Sequence, residues 1–253
     1  MTVPDRPKYR LHVDAPLAAG QTVALTQAQA HYLATVMRAK AGDAVALFNG
    51  RDGEWRAVVA DLGRKGGTLE VGARLRDQTA EGDLWLLFAP LKKDATDMVV
   101  EKATELGVAR LLPVMTDNTA ASRLNTDRAR ANAIEAAEQC ERLTVPAVDE
   151  PAPLARLLAG WDAARPLLVA DETGRGEPLA AAAARLEGAA LAVLIGPEGG
   201  FSHSELDALR RLPFVVPVGL GPRILRAETA ALAALACIQA VAGDWRSGGP
   251  AFR

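Results

Sequence analysis

From Asp83 onward the chain alternates short apolar runs with longer helix-forming runs, and that alternation leaves few folds open. Leu84–Ala89, Leu111–Met115, Leu167–Ala170, Leu191–Ile195 and Val215–Val218 read as buried strands, bounded by turn residues. Thr96–Leu106, Asp127–Cys140, Leu179–Leu186, Ser204–Leu212 and Glu228–Val241 read as helices, the first stopped by Gly107. Strands that alternate with helices pair in parallel and are covered on both faces, so this part predicts an α/β domain. In such a sheet a ligand sits at the carboxyl ends of the strands.

The first part of the chain has a different rhythm. Thr22–Leu25, Ala44–Phe48, Glu54–Leu62 and Thr68–Leu75 read as strands, separated by the turn pairs Asn49-Gly50, Asp52-Gly53 and Gly66-Gly67. One helical run, Gln27–Arg38, interrupts them, with Thr26 as its N-cap. Short strands joined by glycine turns predict a small β-barrel. The polar segment Gln78–Gly82 is the linker, which gives domains 1–77 and 78–253.

Composition narrows the setting. At 49% hydrophobic and 24% charged, the chain reads as an ordinary soluble protein. The apolar run Ala227–Ala242 is broken by Glu228 and Gln239 and is too short for a bilayer span. The two cysteines, Cys140 and Cys237, lie far apart, so neither a disulfide framework nor a zinc site is expected. Met1–Lys8 has no apolar h-region, so no secretory signal is expected, and a reducing cytoplasm is the expected compartment. His12, His31 and His203 are not spaced as metal ligands, and no metal is expected. A formal net charge of −2 leaves any nucleic-acid role to local basic patches.

Two glycine-bearing loops follow successive strands near the C-terminus. The first is Leu194-Ile195-Gly196-Pro197-Glu198-Gly199-Gly200-Phe201-Ser202, and the second is Leu220-Gly221-Pro222-Arg223-Ile224-Leu225-Arg226-Ala227-Glu228-Thr229-Ala230. Neither matches G-x-x-x-x-G-K-[ST] or G-x-G-x-x-G. Glu198 at the tip of the first loop disfavours a phosphate and suits hydroxyls or a cation. Gly196, Gly199 and Gly200 permit close approach of a ligand to the backbone. The second loop brings Arg223 and Arg226, then Glu228 in the first turn of a helix, where the dipole favours negative charge.

These two segments resemble the signature motifs of the ribosomal small-subunit RNA methyltransferase E family, within the SPOUT superfamily. Glu101–Val108, Glu135–Arg142 followed by Val145-Pro146, and His31-Tyr32-Leu33 through Val36-Met37-Arg38 with Gly42-Asp43 and Phe48-Asn49-Gly50 are similar to further segments of that family. The resemblance spans nearly the whole chain. It implies a PUA-like RNA-binding barrel followed by an α/β domain with a C-terminal trefoil knot. It implies S-adenosylmethionine as cofactor, a homodimer, and methylation of N3 of a uridine in helix 44 of 16S rRNA, within the small ribosomal subunit. The residues expected at the cofactor are Leu194, Ile195, Gly196, Pro197, Glu198, Gly199, Gly200, Val218, Leu220, Gly221, Arg223, Ile224, Leu225, Arg226 and Thr229. Arg226 is the residue expected to orient the uridine, and Glu198 or Glu228 is the candidate proton acceptor.

RNA contact is expected from Arg6, Lys8, Arg10, Arg38, Lys92, Lys93, Lys102, Arg123 and Arg142. The chain departs from the family in places. It has Leu91-Lys92-Lys93-Asp94 where a glycine often follows the first lysine, Cys140 for serine, Glu141 for glycine, and a looser stretch at Asp117–Arg123. Three rival readings remain: a ribose 2′-O-methyltransferase of the same superfamily, a non-catalytic RNA-binding assembly factor, and a generic nucleotide-binding enzyme.

Overall fold

The structure is a computed structural model that describes residues 7–63, 65–121 and 123–247. The chain forms two compact units. The first takes residues up to Ala80 together with Ala137–Val145, and the second takes Glu81–Ala136 and the chain from Pro146 onward. A single boundary after residue 77 therefore misses the return of the chain to the first unit at 137–145.

The first unit holds strands β1 (Tyr9–His12), β2 (Thr22–Leu25), β3 (Ala44–Phe48), β4 (Glu54–Gly63) and β5 (Gly66–Arg76). They hydrogen-bond in the order β1-β3-β4-β5-β2, with β1 parallel to β3 and the other pairs antiparallel. Alternate residues, such as Val45 and Leu47 or Leu69 and Val71, turn into one core, as a period of two requires. β1 was not anticipated from sequence because Arg10 and His12 interrupt its apolar signal.

The helical run expected over Gln27–Arg38 divides. Helix α1 covers Gln27–His31, and a π-helical turn continues over Tyr32–Val36. Thr26 and Gln29 form a reciprocal capping box at its start. Its end is set by Arg38, whose φ of 56° turns the chain left-handed, while the Ala39 amide donates to Leu33 O at 2.8 Å.

A buried ion cluster ties the first unit together. Glu54 accepts from Arg10 Nε at 2.6 Å and from Arg76 Nε at 2.8 Å. The same guanidinium groups donate to carbonyls where the third long helix ends: Arg10 to Ala137 and Arg142, Arg76 to Glu141. Those carbonyls lack intrahelical donors, and cations complement that end of the helix dipole. Glu141 itself has φ 67°, which explains why a glycine suits this position.

Among the described residues the second unit holds eight parallel strands. These are β6 (Leu84–Phe88), β7 (Arg110–Met115), β8 (Ala147–Val148), β9 (Ala152–Pro153), β10 (Leu167–Ala170), β11 (Glu177–Pro178), β12 (Leu191–Ile195) and β13 (Val215–Gly219). The order is β11-β13-β10-β12-β6-β7-β8, with β9 also pairing to β7. The helices are α2 (Lys93–Glu105), α3 (Thr126–Cys140), α4 (Leu154–Ala159), α5 (Leu179–Arg185), α6 (His203–Arg210) and α7 (Ala227–Ala242). Every residue of β12 is buried, which is why the strand reads as a continuous apolar run rather than an alternating one. The two-residue strands and α4 were not read from sequence, being too short to show a period.

A buried glutamine joins α7 to the end of α2. Gln239 donates to Leu106 O at 2.7 Å and accepts from the Asp244 amide at 3.0 Å. Gly107, at φ 80°, leaves the room: a Cβ there would lie 2.6 Å from Gln239 Nε2. Trp85 is held by packing, with the Arg165 guanidinium 3.7 Å from its ring and Trp161 edge-on at 5.9 Å. Among the described residues no helix is long and apolar enough to cross a membrane.

The Glu54 cluster predicts an acid-sensitive fold. Burial alone would raise the Glu54 carboxyl, but hydrogen bonds from Arg76 and Arg10 outweigh it and hold it below its ordinary 4.5. A depressed carboxyl contributes its stability above the ordinary value and loses it as pH falls through the lowered one. Glu54→Gln is expected to cost about 3 kcal/mol at neutral pH, because it strands two largely buried guanidinium groups. It should also flatten the loss of stability below about pH 4.5. Urea unfolding of both proteins between pH 3 and 7 checks this; parallel pH curves would contradict it.

Candidate cofactor crevice and basic residues

The sheet order decides which loops meet. β10 lies between β13 and β12, so three strands in a row end at one edge. Their loops enclose a cavity of about 650 Å³ lined by residues 170–174, 195–200 and 218–227, with Ala230. The crevice thus has the two loops expected from sequence and a third, Ala170-Asp171-Glu172-Thr173-Gly174, that was not. The missed signal was a strand already assigned, Leu167–Ala170, followed by polar residues and a glycine.

Of the residues expected at the cofactor, Ile195, Gly196, Pro197, Glu198, Gly199, Gly200, Val218, Leu220, Gly221, Arg223, Ile224, Leu225 and Arg226 all line the crevice. Leu194 is not among the lining residues. Its side chain is fully buried with Leu87 and Val169, and its strand is paired on both sides. Thr229 and Glu228 do not line it either. Helical periodicity turns Ala227 and Ala230 toward the crevice and carries the two intervening residues round the helix. Glu228 remains in the first turn of α7, where its charge complements the dipole.

The glycines have distinct reasons. A Cβ on Gly196 would meet the buried Phe201 ring at 2.9 Å. The core beneath the loop therefore constrains Gly196 whether or not a ligand is bound. Gly200 has φ 68°, and a Cβ would lie 2.4 Å from Glu172 Oε1. Gly221 has φ 96° with open space around it, so only its backbone conformation demands glycine.

The third loop is rigidly held. Asp171 is 1% exposed at its side chain and pairs with Arg210 at 2.7 Å. Its other oxygen accepts from the Thr173 amide at 2.9 Å and the Thr173 hydroxyl at 2.6 Å. Burial would raise this carboxyl, but Thr173 and Arg210 outweigh burial and hold it low. Asp171 is therefore a fixed anion already answered by a cation. Glu172, Glu198, Arg223 and Arg226 differ: all are exposed in the crevice walls. They are the side chains there that can meet a charged ligand. Two carboxylates and two guanidinium groups suit a ligand with a positive and a negative end, and disfavour a polyphosphate.

The expected RNA contacts divide between the units. Arg10 is corrected. It is 10% exposed and committed to Glu54, with its guanidinium 3.7 Å from the Phe48 ring. Lys8 and Arg38 are exposed in the first unit, and Arg142 is half-buried with a bond to Thr144 at 3.1 Å. Arg6 lies outside the described residues. In the second unit Lys92, Lys93 and Arg123 are exposed. Lys92 and Lys93 open α2 just after β6, the neighbour of β12, so they share the carboxyl edge with the crevice. Lys102 is bonded to Glu101 and Glu105 on the helix surface, and these carboxylates push its pKa up to about 12.

Comparison with known proteins fits this architecture. Residues 78–239 match an RNA methyltransferase domain, and residues 25–72 match an RNA methyltransferase PUA domain. The ribosomal RNA small subunit methyltransferase E of Rickettsia conorii is 32% identical over 92% of this chain and 96% of its own length. The chain belongs to the ribosomal RNA small subunit methyltransferase E family. The Synechocystis member is also 32% identical, over 92% of this chain and 78% of that protein. Among solved structures, a Legionella pneumophila methyltransferase with S-adenosylmethionine bound superposes with a TM-score of 0.84 at 27% identity, covering 94% of this chain and 99% of that one. The Neisseria gonorrhoeae family member, also bound to S-adenosylmethionine, gives 0.82 at 27% identity with the same coverage. The fold is thus the family's α/β methyltransferase fold with an N-terminal PUA-like domain.

The core contact under Gly196 yields a prediction that needs no ligand. Gly196→Val should lower stability by about 1–3 kcal/mol in the absence of any cofactor, because Phe201 has to move. Thermal melts of the ligand-free proteins measure it. An unchanged melting temperature would overturn the core constraint.

Proposed function

We propose that this protein is an S-adenosylmethionine-dependent methyltransferase that modifies N3 of a uridine in helix 44 of 16S rRNA, in the decoding region of the small ribosomal subunit. The observation that carries the reading is the three-loop crevice at the carboxyl edge of β13, β10 and β12. Its volume suits a nucleoside-sized ligand. Its unpaired carboxylates and glycine backbone suit hydroxyls and a cation rather than a phosphate chain. The rest of the reading comes from the family: a PUA-like RNA-binding barrel, a C-terminal trefoil knot, a homodimer, action in the cytoplasm, and an assembled subunit as substrate.

Bound in the crevice, the cofactor would supply an electrophilic methyl group on its sulfonium. The chain has three tasks around that methyl. Backbone groups of Ile195, Gly196, Leu220, Ile224 and Leu225 hold adenine and ribose. Arg226, with Arg223 beside it, orients the uridine and stabilises the negative charge that develops on its carbonyl oxygens. A carboxylate or water then takes the N3 proton as nitrogen gains the methyl, so charge and atoms balance. Glu198 is the better acceptor of the two considered from sequence, since Glu228 does not reach the crevice lining. Glu172 joins it as a candidate on the newly found wall.

Arg226→Ala is expected to lower turnover by about a hundredfold or more while leaving cofactor affinity within a few fold. The assay is methyl transfer from labelled cofactor to undermethylated small subunits, with nucleoside analysis of the product. Retained turnover would remove Arg226 from the mechanism. A ribose-methylated product would replace base methylation with the 2′-O reaction. Glu228→Gln is expected to leave the proton-dependent limb of the pH–rate profile in place, whereas Glu198→Gln or Glu172→Gln should move it.

A further inference from the structure

The glycine pair of the first loop is not left to hold its own shape. Glycine loses more conformational freedom on ordering than any other residue, so two in succession make a costly loop to fix. Asn118, from the loop after β7, donates through Nδ2 to Gly200 O at 3.1 Å and to Gly199 O at 3.3 Å. Its Cβ would stand 3.2 Å from a Cβ placed on Gly199, so side chain and glycine are in direct contact. Asp117 grips the other end of the same loop. Its carboxylate accepts from Ser202 Oγ at 2.6 Å, and its amide donates to Glu205 Oε1 at 2.9 Å. Ser202 and Glu205 are the two members of the α6 capping box.

Asp117 and Asn118 are themselves fixed. They form the centre of a turn closed by the Thr119 amide donating to Thr116 O at 3.2 Å. The two threonine hydroxyls meet at 2.8 Å, and Thr119 Oγ1 accepts from the Thr116 amide at 2.9 Å. Asn118 is not among the residues that line the crevice. It therefore reaches a ligand only through the glycines whose carbonyls it holds.

We infer that Asn118 is a positioning residue for the cofactor: it pre-orders Gly199 and Gly200 so that the loop meets the ligand without first being frozen. This rests on the proposed methyltransferase reading and deepens it. Ordering a loop in advance removes a cost from binding and leaves the chemical step alone. The loss of Asn118 is thus a loss of affinity, not of turnover at saturation. The looser stretch Asp117–Arg123 noted in the sequence supplies this clamp from its first two residues.

The test compares wild type, Asn118→Ala and Asn118→His in the full-length protein. Calorimetry measures binding of S-adenosylmethionine and of its demethylated thioether product, and methyl transfer is measured on small subunits at saturating cofactor. Asn118→Ala should weaken both ligands about tenfold, with kcat within about threefold of wild type. Asn118→His returns an N–H at similar reach and should recover most of the affinity. Asn118 is exposed, so both variants are expected to melt with the wild type. Unchanged affinity in Asn118→Ala overturns the inference. So does a fall in kcat at saturation with affinity intact, which would place Asn118 on the RNA. Failure of the wild type itself to bind either ligand overturns the methyltransferase reading instead.

Discussion

Parallel pairing of β13, β10, β12 and β6 is the constraint on which the rest depends. Parallel strands bring all their carboxyl ends to one edge, and the order of pairing decides which loops are neighbours. Leu167–Ala170 pairs with Val215–Val218 on one side, and Leu167–Val169 pairs with Ala192–Leu194 on the other. The β10–β12 ladder is buried and apolar, and Val218 of β13 is also buried, so core packing opposes a slip of register. The rigid ladder lets three irregular loops, each weakly ordered alone, define one cavity.

Each wall of that cavity is then fixed by a different device. The third wall is locked by a buried carboxylate shared between Arg210 and Thr173. The first rests on Phe201 below and is held at its glycines from the side. Among the described residues the second shows no comparable lock: Ile224 is 91% exposed, and Arg223 and Arg226 are exposed beside it. The first and third walls are preformed, and the second carries exposed guanidinium groups. A small ligand held by the fixed walls and a larger one met by the arginines is the division of labour that this asymmetry favours.

Legibility in the sequence followed burial. Leu167–Ala170 and Leu191–Ile195 were placed to the residue, because a buried parallel strand is an uninterrupted apolar run between turns. β1 was invisible because Arg10, a charged residue, fills a position in a buried strand. The third crevice wall was invisible for another reason. Asp171 and Glu172 sit far from both glycine motifs in sequence, and only the insertion of β10 between β12 and β13 brings them in. Strand order is a property of the folded sheet and leaves no local mark.

Arg10 and Arg226 show how the same side chain acquires opposite meanings. Both are arginines flanked by apolar residues, and nothing local separates them. Arg10 lies on a strand whose other face is core, so its guanidinium is drawn inward to Glu54 and to the carbonyls that end α3. Arg226 caps α7 at the mouth of a crevice and faces open space. A guanidinium is costly to bury without a partner, so a buried one is already spent on structure. An exposed one at a ligand cavity has its hydrogen-bonding capacity in reserve. The candidate charges of this protein are therefore sorted by what already answers them. By that measure Arg10 leaves the substrate-facing set, while Arg223, Arg226, Lys92 and Lys93 stay in it.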